Sequence, residues 1–105
     1  MKLDILPLNN PKAKIDDEST LTFGTKFTDR MFVMEFDRKK GWHSARIQPY
    51  GPFSLDPAAT VLHYSQEIFE GLKAFRRSDG SIALFRPQDN ISRFNRSATR
   101  MCMPE

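Results

Sequence analysis

A tight turn between two strand-like segments, followed by an amphipathic segment, is encoded in residues 72–100, which read LKAFRRSDGSIALFRPQDNISRFNRSATR. The Asp79-Gly80 pair is a strong signal for a β-hairpin turn. We therefore predict that residues 72–76 and 82–85 form the two antiparallel strands of a hairpin.

The segment after this hairpin has the spacing of an amphipathic helix, which we predict over residues 87–101. Proline is favoured at the first helical position, and an acidic residue in the first turn complements the helix dipole. Apolar residues three and four apart share one face, and arginines share the opposite side: Ile91, Phe94, Ala98 and Met101 on the first, and Arg93, Arg96 and Arg100 on the second. The arginines are typical either of a solvated helix face or of a site where one of them holds an anion. The pattern does not indicate which of the three would do so.

A second hairpin is predicted upstream, because the apolar segment 31–36 and the weakly alternating segment 42–48 flank a polar turn. The uninterrupted apolar run 31–34 predicts burial of its strand on both faces. The predicted fold class is therefore α+β, with antiparallel strands and a packed amphipathic helix.

Prolines and an acidic run interrupt residues 1–19, which we predict to be an N-terminal arm before a domain over residues 20–105. Between the two predicted hairpins, a short helix is expected to end before Gly71. Tyr64 and Phe69 in that region are typical either of core aromatics or of a pocket wall. Glu67 and Glu70 are typical of a solvated helix face or of two carboxylates that face one cleft.

The composition excludes several classes of protein. The 105 residues carry 16 basic and 13 acidic side chains without a basic cluster, which argues against a nucleic-acid partner. The longest apolar runs have four residues, far short of the ~20 that a membrane span needs, so we expect no membrane partner. The single cysteine, Cys102, is incompatible with an internal disulfide and favours a cytoplasmic location. Together with His43 and His63 it lacks the spacing of a metal site, so no metal is predicted.

Three segments, in the correct order, resemble signatures of the branched-chain amino-acid aminotransferases, which are fold-type IV pyridoxal-phosphate enzymes. They are the run HYSQEIFEGLKAFR at 63–76, the later group of LFRP at 84–87 with Asn90, Arg93 and 96–98, and FGTKFTD at 23–29. The resemblance extends from about Phe23 to Pro104. Family members are several-fold longer, so we expect this chain to correspond to part of their small N-terminal domain, with the large catalytic domain absent.

The resemblance implies a transaminase that moves the amino group of leucine, isoleucine or valine to 2-oxoglutarate with pyridoxal 5'-phosphate as cofactor. Its partners would be a small-molecule amino acid, a 2-oxo acid and further copies of the chain in a homo-oligomer. By the family's motifs, Arg93 would bind the cofactor phosphate. Tyr64, Phe69 and Phe27 would line the pocket for the substrate side chain.

The lysine to which this family attaches its cofactor matches none of the seven lysines here: Lys2, Lys12, Lys14, Lys26, Lys39, Lys40 and Lys73. No catalytic residue is therefore assigned, and the chain alone is predicted to be inactive. Two alternatives remain from the sequence. One is another fold-type IV enzyme, such as a D-amino-acid aminotransferase or an aminodeoxychorismate lyase, and the other is a free-standing small binding module.

Overall fold

Strands dominate the first half of the chain and a long helix the second. In the computed structural model, which describes residues 2–105, the chain divides into two units with a boundary between Ser54 and Leu55. The first unit holds a three-stranded sheet, and the second holds a two-stranded sheet and a 14-residue helix. The predicted α+β class is confirmed.

The sheet of the first unit has the strand order β1-β3-β2, with bounds β1 Asp4–Ile5, β2 Arg30–Asp37 and β3 Gly41–Pro49. The predicted hairpin between β2 and β3 is confirmed. Its turn is closed by Asp37, whose Oδ1 accepts hydrogen bonds from the backbone N–H groups of Lys39 at 2.8 Å and Lys40 at 2.7 Å. Gly41 completes the turn at φ +69°, a backbone region that glycine enters without steric cost.

A two-residue strand lies within the segment predicted to be an arm. Strand β1 pairs in parallel with β3, with Asp4 opposite Arg46 and Ile5 opposite Ile47, so this sheet is mixed rather than purely antiparallel. Pro7 has no backbone N–H to donate, which is consistent with the strand ending at Ile5. The division into an arm over residues 1–19 and a domain over 20–105 stays a prediction.

Burial of β2 on both faces was predicted from its apolar run, and this prediction is wrong. Phe32 and Phe36 on this strand are exposed, while Met31, Val33 and Met34 are half-buried. The physical reason is that the described part of the first unit provides one three-stranded sheet and no second sheet or long helix to cover either face. Throughout residues 2–105, the apolar side chains that are almost fully buried are Ala45 at 6% exposure and Ala98 at 3%.

The second unit, Leu55–Glu105, holds the elements α1 Thr60–Tyr64, β4 Ala74–Arg76, β5 Ile82–Leu84 and α2 Pro87–Arg100. The hairpin predicted at Asp79-Gly80 is confirmed, since β4 and β5 pair antiparallel. Asp79 Oδ1 accepts a hydrogen bond from the Ser81 backbone at 2.9 Å, and the φ of Gly80 is +84°. Helix α2 begins at Pro87 as predicted and ends one residue before the predicted end.

Helix α1 spans five residues, because Ser65 adopts a left-handed conformation at φ +49° directly after Tyr64. The chain from 65 to 73 then runs without helix or strand. Glu67 and Glu70 therefore do not lie on a helix, and the interpretation of both as a solvated helix face is wrong.

The C-terminus of α2 forms a Schellman motif. Cys102 is left-handed at φ +54°, its N–H donates to the carbonyl of Thr99 at 3.1 Å, and the N–H of Met103 donates to the carbonyl of Ala98 at 2.9 Å. These bonds satisfy carbonyls that a helix end otherwise leaves without partners. Pro104 follows the cap, where it cannot continue the helix.

The left-handed position of Cys102 generates a stability prediction. A non-glycine residue pays roughly 1–2 kcal/mol there, and glycine loses about 0.5–1 kcal/mol more backbone entropy on folding. We expect Cys102→Gly to raise the free energy of unfolding by about 0.5–1 kcal/mol, measured by urea unfolding followed by circular dichroism. Cys102→Ala is the control, because it removes the thiol and keeps the strained backbone. Equal stabilities of the Gly and Ala variants would contradict the prediction.

Candidate functional site

An ion pair within the second unit joins the segment after α1 to helix α2. The Glu70 carboxylate accepts a hydrogen bond from Arg93 Nε at 2.7 Å through Oε2, and a second, short one from Arg93 Nη2 through Oε1. Two parallel N–H···O bonds are the geometry in which a guanidinium and a carboxylate match best. The arginine that the sequence motif singled out is therefore fixed by a carboxylate 23 residues away.

Asn90 supports this pair from one turn earlier on α2. Its Nδ2 donates to Glu70 Oε1 at 2.9 Å and to the backbone carbonyl of Gly71 at 2.8 Å. Asn90 and Arg93 are three positions apart, so they are neighbours on the helix surface. Both can therefore reach the same carboxylate.

The two partners of the ion pair differ in exposure. The Glu70 side chain retains 11% of its exposure, whereas the Arg93 side chain retains 59%. Hydrogen bonds from the Arg93 guanidinium, with the Asn90 amide and the positive charge of Arg93, lower the pKa of Glu70 to about 2. The hydrogen bonds to Glu70 and its negative charge raise the pKa of the Arg93 guanidinium. Both groups are therefore ionised over the whole physiological pH range.

Three arginines of α2 line one shallow open groove of about 410 Å³, together with Ser97 and Met101: Arg93, Arg96 and Arg100. Arg96 and Arg100 are exposed, as a solvated helix face would be. Arginines three and four positions apart on a helix repel one another. Glu70 offsets one of the three charges, which leaves the groove with an excess of two, so an anion is the ligand that this surface favours.

The predicted pocket aromatics are exposed in the second unit. Tyr64 is the last residue of α1 and is 82% exposed, and Phe69 in the following irregular segment is 80% exposed. The interpretation of these two side chains as core aromatics is wrong. The left-handed turn at Ser65 ends the helix before Phe69 can be carried onto an apolar helix face.

Phe27, the third predicted pocket residue, belongs to the first unit. Its ring stacks on Tyr50, with ring centroids 5.3 Å apart and planes inclined by 19°. Lys12 lies over the same Tyr50 ring at 4.9 Å and donates from Nζ to the carbonyl of Phe27 at 3.2 Å. These contacts hold Phe27 within its own unit, where half of its side chain is exposed.

Sequence reasoning missed the part that Glu70 and Asn90 play. Asn90 had a usable signal, because an amide three positions before an arginine on a helix lies beside it. Glu70 had no local signal, since its partner is 23 residues away.

The donor set of α2 fits a phosphate group. A guanidinium presents a planar fork of N–H donors that matches phosphate oxygens, and here one of the three guanidinium groups is held in a defined orientation. The second unit of this α+β chain therefore presents a basic helix face with the hydrogen-bond donors that a phosphate group requires.

Comparison with known proteins identifies the family of this chain. The chain is 57% identical over 88 residues to branched-chain-amino-acid transaminase 1 of Bacillus subtilis, and this match covers 84% of the chain. It is 57% identical over 106 residues to a probable branched-chain-amino-acid aminotransferase of Streptomyces coelicolor, over 98% of the chain. It is 46% identical over its full length to the branched-chain-amino-acid aminotransferase of Mycobacterium tuberculosis.

The chain belongs to the branched-chain-amino-acid aminotransferase family, as its three motifs predicted. It spans about a quarter of the length of the curated relatives it matches, from 25% to 29% for these three. No protein-family model matches the chain. Between residues 2 and 105, no helix combines the length and the apolar character needed to cross a membrane.

The lowered pKa of Glu70 predicts a pH-dependent stability. Its pKa falls from 4.5 to about 2 on folding, so the stabilisation is complete above pH 4.5 and is lost as the pH falls toward 2. We expect Glu70→Gln to lower the free energy of unfolding at pH 7, and this deficit to shrink between pH 4.5 and pH 2. Urea unfolding at a series of pH values measures it.

Glu67→Gln is the matched control for this experiment, because it removes the same charge from an exposed side chain three residues away. A Glu70→Gln deficit as large at pH 2 as at pH 7 would contradict a contribution from the ionised carboxylate.

Proposed function

We propose that the whole protein transfers the amino group of leucine, isoleucine or valine to 2-oxoglutarate with pyridoxal 5'-phosphate as its cofactor. The proposal is supported by the named activity of relatives that are 57% identical over most of this chain. The observation that carries it is Arg93, which matches the family's phosphate-binding position and is fixed by Glu70. This chain contributes one wall of the site.

Arg93 binds and orients the cofactor phosphate in this proposal. A phosphate dianion next to a guanidinium makes charge-assisted hydrogen bonds, which are about twice as strong as neutral ones. Arg96 and Arg100 line the same groove and add a positive field around the phosphate. The cofactor, when bound, supplies the electron sink for the chemistry at the substrate's α-carbon.

Tyr64 and Phe69 contact the substrate side chain in the proposed site, and the pocket role that the resemblance implies for Phe27 stays a prediction. Tyr64 and Phe69 offer large exposed aromatic surfaces, and contact with a branched aliphatic side chain would remove them from water. Burying such a side chain contributes about 1.5–3 kcal/mol. One methylene changes this by only about 1–3 kcal/mol, so discrimination among leucine, isoleucine and valine would be weak.

We also propose that the protein acts in the cytoplasm as a homo-oligomer. The single cysteine supports a reducing compartment. The exposed aromatic and aliphatic side chains of both units support association with further protein surface, since such side chains are seldom left in water in this number: among them are Phe23, Phe53, Phe85 and Ile5.

The 105-residue chain alone is expected to lack transaminase activity, because none of its lysines matches the position that holds the cofactor. The test mixes the purified chain with pyridoxal 5'-phosphate, leucine and 2-oxoglutarate and measures glutamate. The same mixture without protein is the control. Glutamate formation well above that control would contradict the prediction.

Arg93→Ala is expected to weaken cofactor binding about ten- to a hundredfold, the effect of losing hydrogen bonds to a charged group. The variants are made in the polypeptide expressed from the complete reading frame, and the dissociation constant of pyridoxal 5'-phosphate is measured by equilibrium dialysis.

Arg96→Ala and Arg100→Ala are the matched controls, because both residues line the same groove on the same helix. They are expected to weaken binding less than threefold, through the loss of a more distant charge. Equal effects of all three variants would favour the interpretation of these arginines as a solvated helix face and would contradict the role assigned to Arg93.

A further inference from the structure

We propose that Glu70 is a positioning residue for the phosphate site. It holds the Arg93 guanidinium in the orientation in which the remaining donors of that group meet the cofactor phosphate. This inference rests on the phosphate-binding role proposed above for Arg93.

The bonding pattern of the pair carries the first step. A guanidinium has five N–H donors in a rigid plane, and Glu70 takes one from Nε and one from Nη2. Bonding through two neighbouring nitrogens fixes the plane of the group as well as its position, which a single bond cannot do. Three donors, including both of Nη1, are left for a second anion in the same plane.

The exposure of the two partners carries the second step. The Glu70 side chain is 11% exposed and Arg93 is 59% exposed, so the carboxylate is the fixed member and the guanidinium the one that faces incoming ligands. Asn90 fixes the carboxylate further, because its Nδ2 bridges Glu70 Oε1 and the carbonyl of Gly71. A continuous series of hydrogen bonds thus connects the backbone carbonyl of Gly71, Asn90, Glu70 and Arg93, and it fixes the orientation of the Arg93 guanidinium.

A carboxylate beside a phosphate-binding arginine has two opposite effects. It orders the arginine side chain before the phosphate binds, so less conformational entropy is lost on binding, and this effect favours binding. It also repels the phosphate, which disfavours binding. Solvent screens the repulsion, because the guanidinium between the two anions is more than half exposed. The orienting effect therefore wins, and removal of the carboxylate weakens phosphate binding.

The test compares two ligands in the polypeptide expressed from the complete reading frame. Pyridoxal 5'-phosphate carries the phosphate and pyridoxal lacks it, so the difference between their dissociation constants isolates the phosphate contact. We expect Glu70→Gln to weaken pyridoxal 5'-phosphate about threefold to tenfold, the effect of one hydrogen bond, and to leave pyridoxal unchanged. Glu67→Gln, with the same loss of charge at an exposed position, is expected to change neither.

Glu70→Asp separates orientation from charge, because it keeps the carboxylate and shortens its reach by one methylene. We expect it to weaken pyridoxal 5'-phosphate binding as well, whereas a purely electrostatic role would leave that affinity intact. This milder variant also keeps the proposal testable if Glu70→Gln does not fold, as judged by circular dichroism.

A double-mutant cycle with Arg93→Lys tests whether Glu70 acts through the guanidinium. Lysine has no planar fork to orient, so Glu70→Gln is expected to change the phosphate-dependent affinity less than twofold in that background.

The proposal is overturned if Glu70→Gln tightens or does not change the binding of pyridoxal 5'-phosphate, or if it weakens both ligands equally, as a general structural role would. These results differ from failure of the proposed function, in which Arg93→Ala itself would leave the affinity for pyridoxal 5'-phosphate unchanged.

Discussion

The paired hydrogen bonds between Glu70 and Arg93 are the constraint on which the candidate site depends. They cross 23 residues of sequence and tie an irregular segment to a long helix. The segment from 65 to 73 has no helix or strand of its own, and side-chain bonds to α2 help to fix it. Gln66 adds a further tie, because its Nε2 donates to the carbonyl of Met101 at 3.0 Å. The same hydrogen bonds therefore fix both the position of this segment and the orientation of Arg93.

Local sequence signals were sufficient for most of the secondary structure. Asp79-Gly80 predicted its hairpin because the turn needs a residue at positive φ, and Gly80 supplies it. Pro87 predicted the start of α2 because its ring fixes φ and its missing N–H costs nothing in the first turn. In both cases the local conformation is determined by residues within four positions of one another. Sequence patterns are informative over that range.

What the sequence did not predict depends on partners far along the chain or on an unusual backbone angle. The parallel pairing of β1 with β3 joins Asp4 to Arg46, and two residues are too few to show a period. Helix α1 ends at Tyr64 because Ser65 is left-handed, and serine is not a residue type from which a left-handed conformation is predicted. The family motif pointed to Arg93 and to the exposed aromatics, but chemistry alone could not choose Arg93 over Arg96 and Arg100. Its carboxylate partner distinguishes it, and that partner is visible only in three dimensions.

The pairing also bears on the kind of anion that the arginine face suits. The affinity for a polyanion such as nucleic acid rises with the number of basic side chains that displace its counterions. Fixing the orientation of one of those side chains adds little to that affinity. The pairing of Arg93 with Glu70 lowers the net positive charge of the surface by one, and it fixes the orientation of one guanidinium group. The loss of charge weakens a surface that binds a polyanion through its net charge. The fixed guanidinium favours a site that must hold one phosphate in a defined place relative to a reacting group. The Glu70 and Arg93 pair is therefore consistent with the proposed role of this helix face in holding one small phosphorylated ligand.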